Sequence, residues 1–361
     1  MFVSIARPAI GEEELAAAVE VLRSGQLVQG ERVAEFERAF ASFHGAAHGV
    51  ATSSGSTALI AALMAHGVGP GDEVIIPSFS FVATATAVLF AGARPVFADI
   101  DPLTFCLSVE AAARAVTART KAIMPVHLFG HPADLPAFRR LCDERGLVLL
   151  EDAAQAHGAT IAGRPVGAWG TGAFSFHASK NITTMEGGMV LTGDAEVAAR
   201  LRLVRQHGMR KGYVHETLGT NFRLTELAAA IGLVQLGRLA GWQRARTENA
   251  SHYARSLRGV VTPSVAEGAV HAFHQYTIRV PEPVDRDRVV AELNARGIEA
   301  RVYYPHPIHE QAALGAHSVT NALLPETARA AREVLSIPVH PGLSVEERAY
   351  VVESVNAVCA P

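Results

Sequence analysis

Short apolar segments alternate with helix-forming segments over the first half of the 361-residue chain, and this alternation restricts the fold more than any other feature. The predicted strands lie at 49–52, 73–77, 94–99, 122–126, 147–151, 173–176 and 188–191. Helical patterns follow most of these strands, and short strands that are apolar throughout are typical of parallel sheets covered on both faces. The sequence therefore predicts an α/β fold with a mostly parallel seven-stranded sheet.

The pattern changes after about residue 194, where longer helices replace the alternation. Helices are predicted at 195–205 and 225–244, followed by a smaller strand–helix–strand pattern at 275–280, 288–296 and 298–303. Ser344, with Glu347 three residues later, is a capping-box signature and predicts the start of the last helix. We expect a large domain at 1–245, which includes the N-terminal segment, and a smaller C-terminal α+β domain at 246–361. The 225–244 helix is the candidate hinge between them.

The overall composition excludes several classes of function. A net charge of −3 and a pI near 6.6 leave no broad basic surface for nucleic acid or an anionic membrane. No apolar segment is long enough to cross a bilayer, and the N-terminus lacks the pattern of a secretory signal. Three distant cysteines and sixteen scattered histidines form neither an HExxH nor a paired CxxC motif. These observations predict a cytoplasmic protein with no metal site.

Two charged residues stand in positions that suit pyridoxal phosphate chemistry. Lys180 lies between short polar residues in the segment SFHASKN and precedes a Gly-Gly pair, and Asp152 ends the apolar strand at 147–151. A lysine amine can hold the cofactor aldehyde as a Schiff base, and a carboxylate can keep the pyridine nitrogen protonated. The sequence alone also allows a solvated lysine and an aspartate that caps the following turn.

Other residues could complete such a site. The segment 53–58 joins a strand to a helix, and helix-start amides with short hydroxyls favour a phosphate, although an ordinary helix cap would have the same sequence. Phe81 follows a strand end and could stack on a cofactor ring or pack in the core. Gln155, three residues after Asp152, is placed to hydrogen-bond the ring oxygen if a helical turn follows, and Ser175 could add a hydroxyl to the phosphate cup.

These segments, in this order and spacing, resemble the DegT/DnrJ/EryC1/StrS family of sugar aminotransferases, which are fold-type I enzymes that depend on pyridoxal phosphate. The resemblance begins at residues 24–30, continues through EDAAQAHG at 151–158 and SFHASKN at 175–181, and ends at 302–309. It therefore covers nearly the whole chain and implies the family's fold.

The resemblance also implies a role for each matching residue. Lys180 matches the Schiff-base lysine, Asp152 the partner of the ring nitrogen and Gln155 the contact to the ring oxygen. Phe81 matches the stacking aromatic, and the phosphate contacts correspond to Ser56, Thr57 and Ser175. Asn221 matches a residue that the neighbouring subunit lends to the phosphate, which implies a homodimer with shared active sites. Candidate contacts to the sugar nucleotide are Arg223, Tyr304, His306 and His309.

The implied reaction is a ping-pong transamination in amino sugar biosynthesis. An amino-acid donor, glutamate, gives its amino group to the cofactor while Lys180 moves a proton, and a keto sugar on a nucleotide diphosphate then takes the amino group. Alternatives remain open: a dehydratase of the same fold, in which a histidine replaces the lysine, an aminotransferase for a cyclitol ketone or an aminobenzoate precursor, and a pyridoxal phosphate-binding regulatory protein without turnover. No GxGxxG opens the first βα unit, which argues against a dinucleotide enzyme.

Overall fold

The seven predicted strands all occur and lie in one sheet of the computed structural model, which describes residues 1–314, 317–320 and 323–359. The helices are α1 Glu12–Ser24, α2 Glu31–Phe43, α3 Gly55–Ala65, α4 Ala83–Phe90, α5 Val109–Ala115, α6 Leu135–Arg145, α7 Ala195–Arg205, α8 Glu226–Ser256, α9 Arg286–Ala295, α10 Pro325–Glu333 and α11 Val345–Cys359. Two short 3₁₀ helices lie at Leu128–Gly130 and Ile308–Glu310.

The strands of the large sheet follow the predicted segments closely. They are β1 His48–Thr52, β2 Glu73–Pro77, β3 Arg94–Ala98, β4 Thr120–Ile123, β5 Val148–Asp152, β8 Thr171–Ser175 and β9 Gly188–Thr192. The remaining strands are β6 Thr160–Ile161, β7 Arg164–Pro165, β10 Met209–Lys211, β11 Val214–His215, β12 Ala269–Val270, β13 Tyr276–Arg279, β14 Val319–Thr320 and β15 Val334–Ile337. The two-residue β14 pairs with β3 and extends the predicted seven strands to eight.

The sheet has the strand order β1-β9-β8-β5-β4-β2-β3-β14. β9 runs antiparallel to both of its neighbours, and the other pairs are parallel. In β2, Val74 and Ile76 pack into the core on one face, while Ile75 packs into the core on the other. This alternation of fully buried side chains confirms that helices cover both faces. It also brings the carboxyl ends of β1, β2, β5 and β8 to one edge.

Helix α8 is the longest helix at 31 residues and continues beyond the predicted end at residue 244. At its first residue, the buried Glu226 carboxylate accepts hydrogen bonds from the backbone amides of Gly30, Arg32 and Val33, at 2.8–2.9 Å. These amides belong to the start of α2, where the chain leaves them without partners of their own. The start of α8 is therefore fixed to the N-terminal part of the chain.

The C-terminal region has its own buried cluster, which includes Tyr253, Tyr276 and Val355 together with Val3 from the N-terminus. The prediction of a strand at 298–303 is wrong. Ile298 and Arg301 form only isolated bridges, and β15 is the strand that pairs antiparallel with β13. The separate cluster supports a domain division, and the boundaries at 1–245 and 246–361 remain our proposal because residue 245 lies within the continuous α8.

The predicted capping box of the last helix is present. The Ser344 amide donates to the Glu347 carboxylate at 2.8 Å, and the Glu347 amide donates to the Ser344 hydroxyl at 3.1 Å. Across the described ranges, no helix is both long enough and apolar enough to span a bilayer.

Candidate active site

A cavity of about 440 Å³ opens at the carboxyl edge of the large sheet. Seven of the residues predicted for the site line this cavity: Ser56, Phe81, Asp152, Gln155, Ser175, Lys180 and Tyr304. They come from loops and strand ends that are far apart in the sequence, and the parallel sheet brings them together. The arrangement follows the rule that ligands of open α/β sheets lie outside the carboxyl ends of the strands.

Lys180 lies in a turn that follows β8, where its backbone amide donates to the carbonyl of His177 at 2.9 Å. Burial of its amine in the cavity lowers the pKa of Lys180 from 10.5 to about 8, and the nearby Asp152 charge opposes this shift. The amine is thus easier to deprotonate than an ordinary surface lysine, which is the property required of a nucleophile or a proton-transfer base.

Asp152 ends β5 and is buried, with 5% of its surface exposed. Its carboxylate accepts a hydrogen bond from the Thr84 hydroxyl at 2.8 Å and another from the Ala154 amide at 3.2 Å. Burial raises the pKa of Asp152, while these two hydrogen bonds and the Lys180 charge act in the opposite direction. No ion pair reaches Asp152 from the described residues, so a cation in the cavity would stabilise its charged form.

The neighbouring acid, Glu151, has a different environment because successive side chains of a strand point to opposite faces. Its carboxylate accepts hydrogen bonds from the backbone amides of Gly167, Trp169 and Gly170, at 2.6–3.0 Å. Its carboxylate also lies 3.2 Å from the buried His127 ring. Glu151 therefore holds a loop in place, and Asp152 alone of the two acids lines the cavity.

The start of α3 forms a second polar wall of the cavity. A capping box links Ser54 and Thr57, and it leaves the amides of Gly55 and Ser56 without a partner in the described part of the chain. A Cβ atom at Gly55 would lie only 2.6 Å from the Cβ of Ser175. Glycine is thus what allows the helix start and the Ser175 hydroxyl to lie side by side, and together they form a candidate anion site.

Gln155 and Tyr304 form a hydrogen-bonded pair at the cavity. The Gln155 amide nitrogen donates to the Tyr304 hydroxyl at 2.8 Å, and its carbonyl oxygen accepts from the Phe129 amide at 2.6 Å. One N–H of the side-chain amide is left for a ligand. Tyr304 has a φ of 61°, a backbone conformation that is rare outside glycine and that concentrates at functional sites.

Phe81 is 58% exposed and lines the cavity, so core packing does not account for it. The ring leaves apolar surface free at the cavity, and a planar ligand would cover it. Its position between β2 and α4 places it at the same sheet edge as Asp152.

Five predicted site residues lie outside the cavity lining: Thr57, Asn221, Arg223, His306 and His309. Thr57 is engaged in the capping box with Ser54. Asn221 is exposed, and the Arg223 side chain donates to Gln206 at 3.2 Å along a different groove. His306 is exposed, and the His309 ring lies 2.7 Å from the Ser78 hydroxyl. Their proposed contacts therefore depend on a ligand or a second subunit that extends beyond this cavity.

Sequence reasoning missed several residues of the site. Thr84 holds the Asp152 carboxylate, and the cavity is also lined by Arg246, His274 and Gln275. A threonine in the first turn of an apolar helix and an arginine in a long helix carry no distinctive pattern. Only the fold brings them to the cavity.

The arrangement fits pyridoxal phosphate. Asp152 is a buried acid with no ion-pair partner among the described residues, which suits a pyridinium nitrogen. The free amides at the start of α3 suit a phosphate, the exposed Phe81 ring suits stacking, and the low pKa of the Lys180 amine suits an aldehyde.

Comparison with known proteins identifies the family of the chain. The family described as DegT/DnrJ/EryC1/StrS aminotransferases matches residues 8–356. A pleiotropic regulatory protein from Geobacillus stearothermophilus is 44% identical over 93% of this chain and 91% of its own length. The UDP-N-acetyl-3-dehydro-alpha-D-glucosamine 3-aminotransferase of Acidithiobacillus ferrooxidans is 41% identical over 96% of this chain and 93% of its own.

A solved structure supports the same assignment. The crystal structure of DesV from S. venezuelae in complex with a ketimine intermediate superposes with a TM-score of 0.93 at 40% identity. The match covers 97% of this chain and 95% of DesV. The family matches nearly the whole chain, and the DesV structure superposes over almost the full length of both proteins. The protein therefore belongs to the DegT/DnrJ/EryC1/StrS aminotransferase family and is an aminotransferase of the fold-type I class.

Proposed function

We propose that this protein is a pyridoxal phosphate-dependent aminotransferase that moves an amino group from glutamate to a keto sugar carried on a nucleotide diphosphate. The observation that carries this proposal is the position of Lys180 and Asp152 in one cavity, with opposite charges that influence each other's pKa. The cofactor, when bound, supplies an aldehyde that condenses with amines and a ring that accepts an electron pair.

The residues of the cavity would hold the cofactor at both ends. Asp152 would hold the protonated ring nitrogen, and Gln155 would donate its free N–H to the ring oxygen. Ser56 and Ser175, with the amides at the start of α3, would bind the phosphate, and Phe81 would cover the ring. Thr57 would support this wall through its capping box with Ser54.

Lys180 would hold the aldehyde and would then move a proton at the α-carbon of the donor. That step needs a neutral amine. With a pKa of about 8, roughly one Lys180 side chain in ten is neutral at pH 7, and the neutral fraction rises as pH rises. An amine with an ordinary lysine pKa would be almost entirely protonated at that pH.

The names of the relatives support the proposed acceptor class. The Acidithiobacillus ferrooxidans relative is named for a UDP-linked 3-dehydro sugar, and such a group is a ketone that can be aminated. Arg223, Tyr304, His306 and His309 remain our candidates for contacts to the sugar nucleotide. Asn221 would reach the phosphate of a neighbouring subunit, so we propose a homodimer with shared active sites.

We also propose a cytoplasmic location. The three cysteines, Cys106, Cys142 and Cys359, are buried as free thiols, which suits a reducing compartment.

A regulatory role without turnover is the second candidate, because the Geobacillus stearothermophilus relative is named as a regulatory protein. Both candidates bind the same cofactor and differ in what glutamate does. An enzyme converts the cofactor to its amine form when glutamate is added, and a sensor does not. Absorbance of the purified protein before and after the addition of glutamate separates the two.

The decisive experiment combines this measurement with a panel of keto-sugar nucleotides. Incubation with glutamate and each nucleotide, followed by mass spectrometry, should detect an amino sugar and 2-oxoglutarate. Borohydride reduction and peptide mapping should locate the cofactor on Lys180, and the chain contains only two other lysines, Lys121 and Lys211. Cofactor label on Lys121 or Lys211 would refute the proposal. The proposal would also be refuted if no acceptor gave an amino sugar and glutamate left the absorbance unchanged.

A further inference from the structure

Arg246 is a buried cation in the wall of the active-site cavity. It lies on α8, with 7% of its surface exposed, and lines the cavity together with Lys180, His274 and Gln275. Burial lowers the pKa of this guanidinium to about 10, so it remains charged at neutral pH. A charged group taken out of water needs compensation from its surroundings.

The protein supplies only part of that compensation. One guanidinium nitrogen, Nη1, donates to the backbone carbonyls of Phe273 and His274, at 3.0 and 3.3 Å. Nε is buried without a hydrogen-bond partner, and Nη2 forms no hydrogen bond within residues 1–314, 317–320 and 323–359. Three of the five N–H donors of the guanidinium are therefore unused.

No acid balances the charge of Arg246 in the described part of the chain. Arg246 takes part in no ion pair with the described residues. Burial is the one cause of the shift in the pKa of Arg246, and no carboxylate contributes to it. The titratable groups around it are His157, His274 and His340, whose pKa values its charge helps to lower. A neutral histidine cannot act as a counter-ion, so the site is short of one negative charge.

We propose that Arg246 binds the α-carboxylate of the amino-acid donor and of the keto acid that the donor becomes. This inference rests on the proposed transaminase function and names the part of the cavity that recognises the donor. The planar guanidinium presents N–H groups in a fork that matches a carboxylate, and such charge-assisted bonds are strongest where water is excluded.

The position of Arg246 distinguishes the donor carboxylate from the other anions of the reaction. The phosphate of the cofactor already has a candidate site at the start of α3 and at Ser175 in β8, which are elements other than α8. A sugar diphosphate is separated from the reacting carbon by the sugar ring. The α-carboxylate is attached directly to the carbon at which Lys180 must act, so its binding residue has to line the same cavity as Lys180, and Arg246 does.

The test compares the two half-reactions in Arg246→Met, with Arg244→Met as the matched control. Arg244 is an exposed arginine on the same helix and outside the cavity lining. We expect Arg246→Met to lower kcat/KM for glutamate by roughly 10- to 100-fold, through a higher KM. The reaction of the amine-loaded enzyme with the keto-sugar nucleotide should change by no more than about threefold. Equal loss in both half-reactions, or loss confined to the nucleotide, would overturn the inference.

Arg246→Lys keeps the charge without the fork and tests whether the geometry matters. It should retain more glutamate affinity than Arg246→Met and less than the unaltered protein. This variant also keeps the inference testable if Arg246→Met does not fold.

A binding measurement without cofactor provides an independent readout. Addition of 2-oxoglutarate should raise the Tm of the cofactor-free protein and of Arg244→Met, and should leave the Tm of Arg246→Met unchanged. Equal stabilisation of all three proteins, or of none, would contradict a carboxylate site at Arg246. Failure of the unaltered holoenzyme to react with any amino acid would instead refute the proposed function, so the two failures are distinguishable.

Discussion

The residues around Lys180 differ in their placement from Arg223 and His306, two of the four residues proposed to contact the sugar nucleotide. Lys180, Asp152 and Ser175 lie at or just beyond the carboxyl ends of parallel strands and meet in one cavity. Arg223 and His306 lie on loops outside that cavity. The comparison indicates that the sheet positions the residues proposed for cofactor chemistry, whereas Arg223 and His306 lie on segments that the sheet does not constrain. Tyr304, another proposed acceptor contact, lines the cavity. Four predictions test this difference.

The largest effect is expected from Lys180→Ala. Removal of the amine would eliminate both the proposed covalent attachment and the proposed proton transfer, so turnover should fall by more than the roughly 10⁴-fold that proton transfer alone can contribute. The protein should still fold, because no side-chain hydrogen bond from Lys180 supports the described structure. Steady-state kinetics and circular dichroism measure the two outcomes. Lys121→Ala, an exposed lysine, is the control, and near-normal turnover in the Lys180 variant would contradict its role.

Asp152→Asn should lower kcat by about 10²- to 10³-fold, because a neutral amide cannot stabilise a protonated ring nitrogen in a buried site. The neighbouring Glu151→Gln is the informative partner, since Glu151 accepts three backbone amides and does not line the cavity. We expect that variant to lower Tm and to keep most of its activity per folded molecule. Thermal unfolding and kinetics on both variants separate the two acids, and a comparable catalytic loss in both would remove the distinction.

The pH dependence of cofactor attachment should follow Lys180. Because its folded-state pKa is lowered to about 8, the neutral amine increases as pH rises through that value. Attachment of pyridoxal phosphate to the cofactor-free protein should therefore accelerate about tenfold between pH 7 and pH 9 and then level off. Borohydride trapping at timed intervals gives the rate, and peptides that contain Lys121 and Lys211 serve as internal references. A rate that continues to rise above pH 10 would contradict the lowered pKa.

The smallest effect is expected from Arg223→Ala and His306→Ala in the donor half-reaction. Neither side chain lines the cavity, so the rate with glutamate should change by less than about twofold. If these residues contact the acceptor, KM for the sugar nucleotide should rise in the second half-reaction. Stopped-flow absorbance follows each half-reaction alone. A large loss of the rate with glutamate would contradict the separation of Arg223 and His306 from the residues around Lys180.

Much of the fold and the centre of the site could be predicted from the sequence because they depend on local patterns. Apolar strands followed by helices predict a parallel sheet, and a parallel sheet brings strand ends together, so Asp152, Ser175 and Lys180 were expected to meet. These outcomes require no knowledge of distant contacts.

The remainder depends on contacts between distant segments. The segment 298–303 has a sequence that predicts a strand, but the strand that pairs with β13 is β15, at residues 334–337. The proposed role of Arg246 also cannot be predicted from the sequence, because it depends on the absence of a counter-charge among the described segments packed around this residue. Neither a pairing partner nor a missing charge can be read from one stretch of sequence.

The length of α8 has a consequence for how tightly this protein would bind its amino-acid donor. Hydrogen bonds to the Glu226 carboxylate fix one end of the helix to the N-terminal region. Arg246 lies on the same helix 20 residues further on, a span of about 30 Å at the usual rise per residue. Because the helix is continuous, a shift at its Glu226 end would also displace the Arg246 guanidinium. Substitutions far from the cavity, at the surface where α2 meets α8, would thus weaken the binding of the amino-acid donor without altering any residue that touches it.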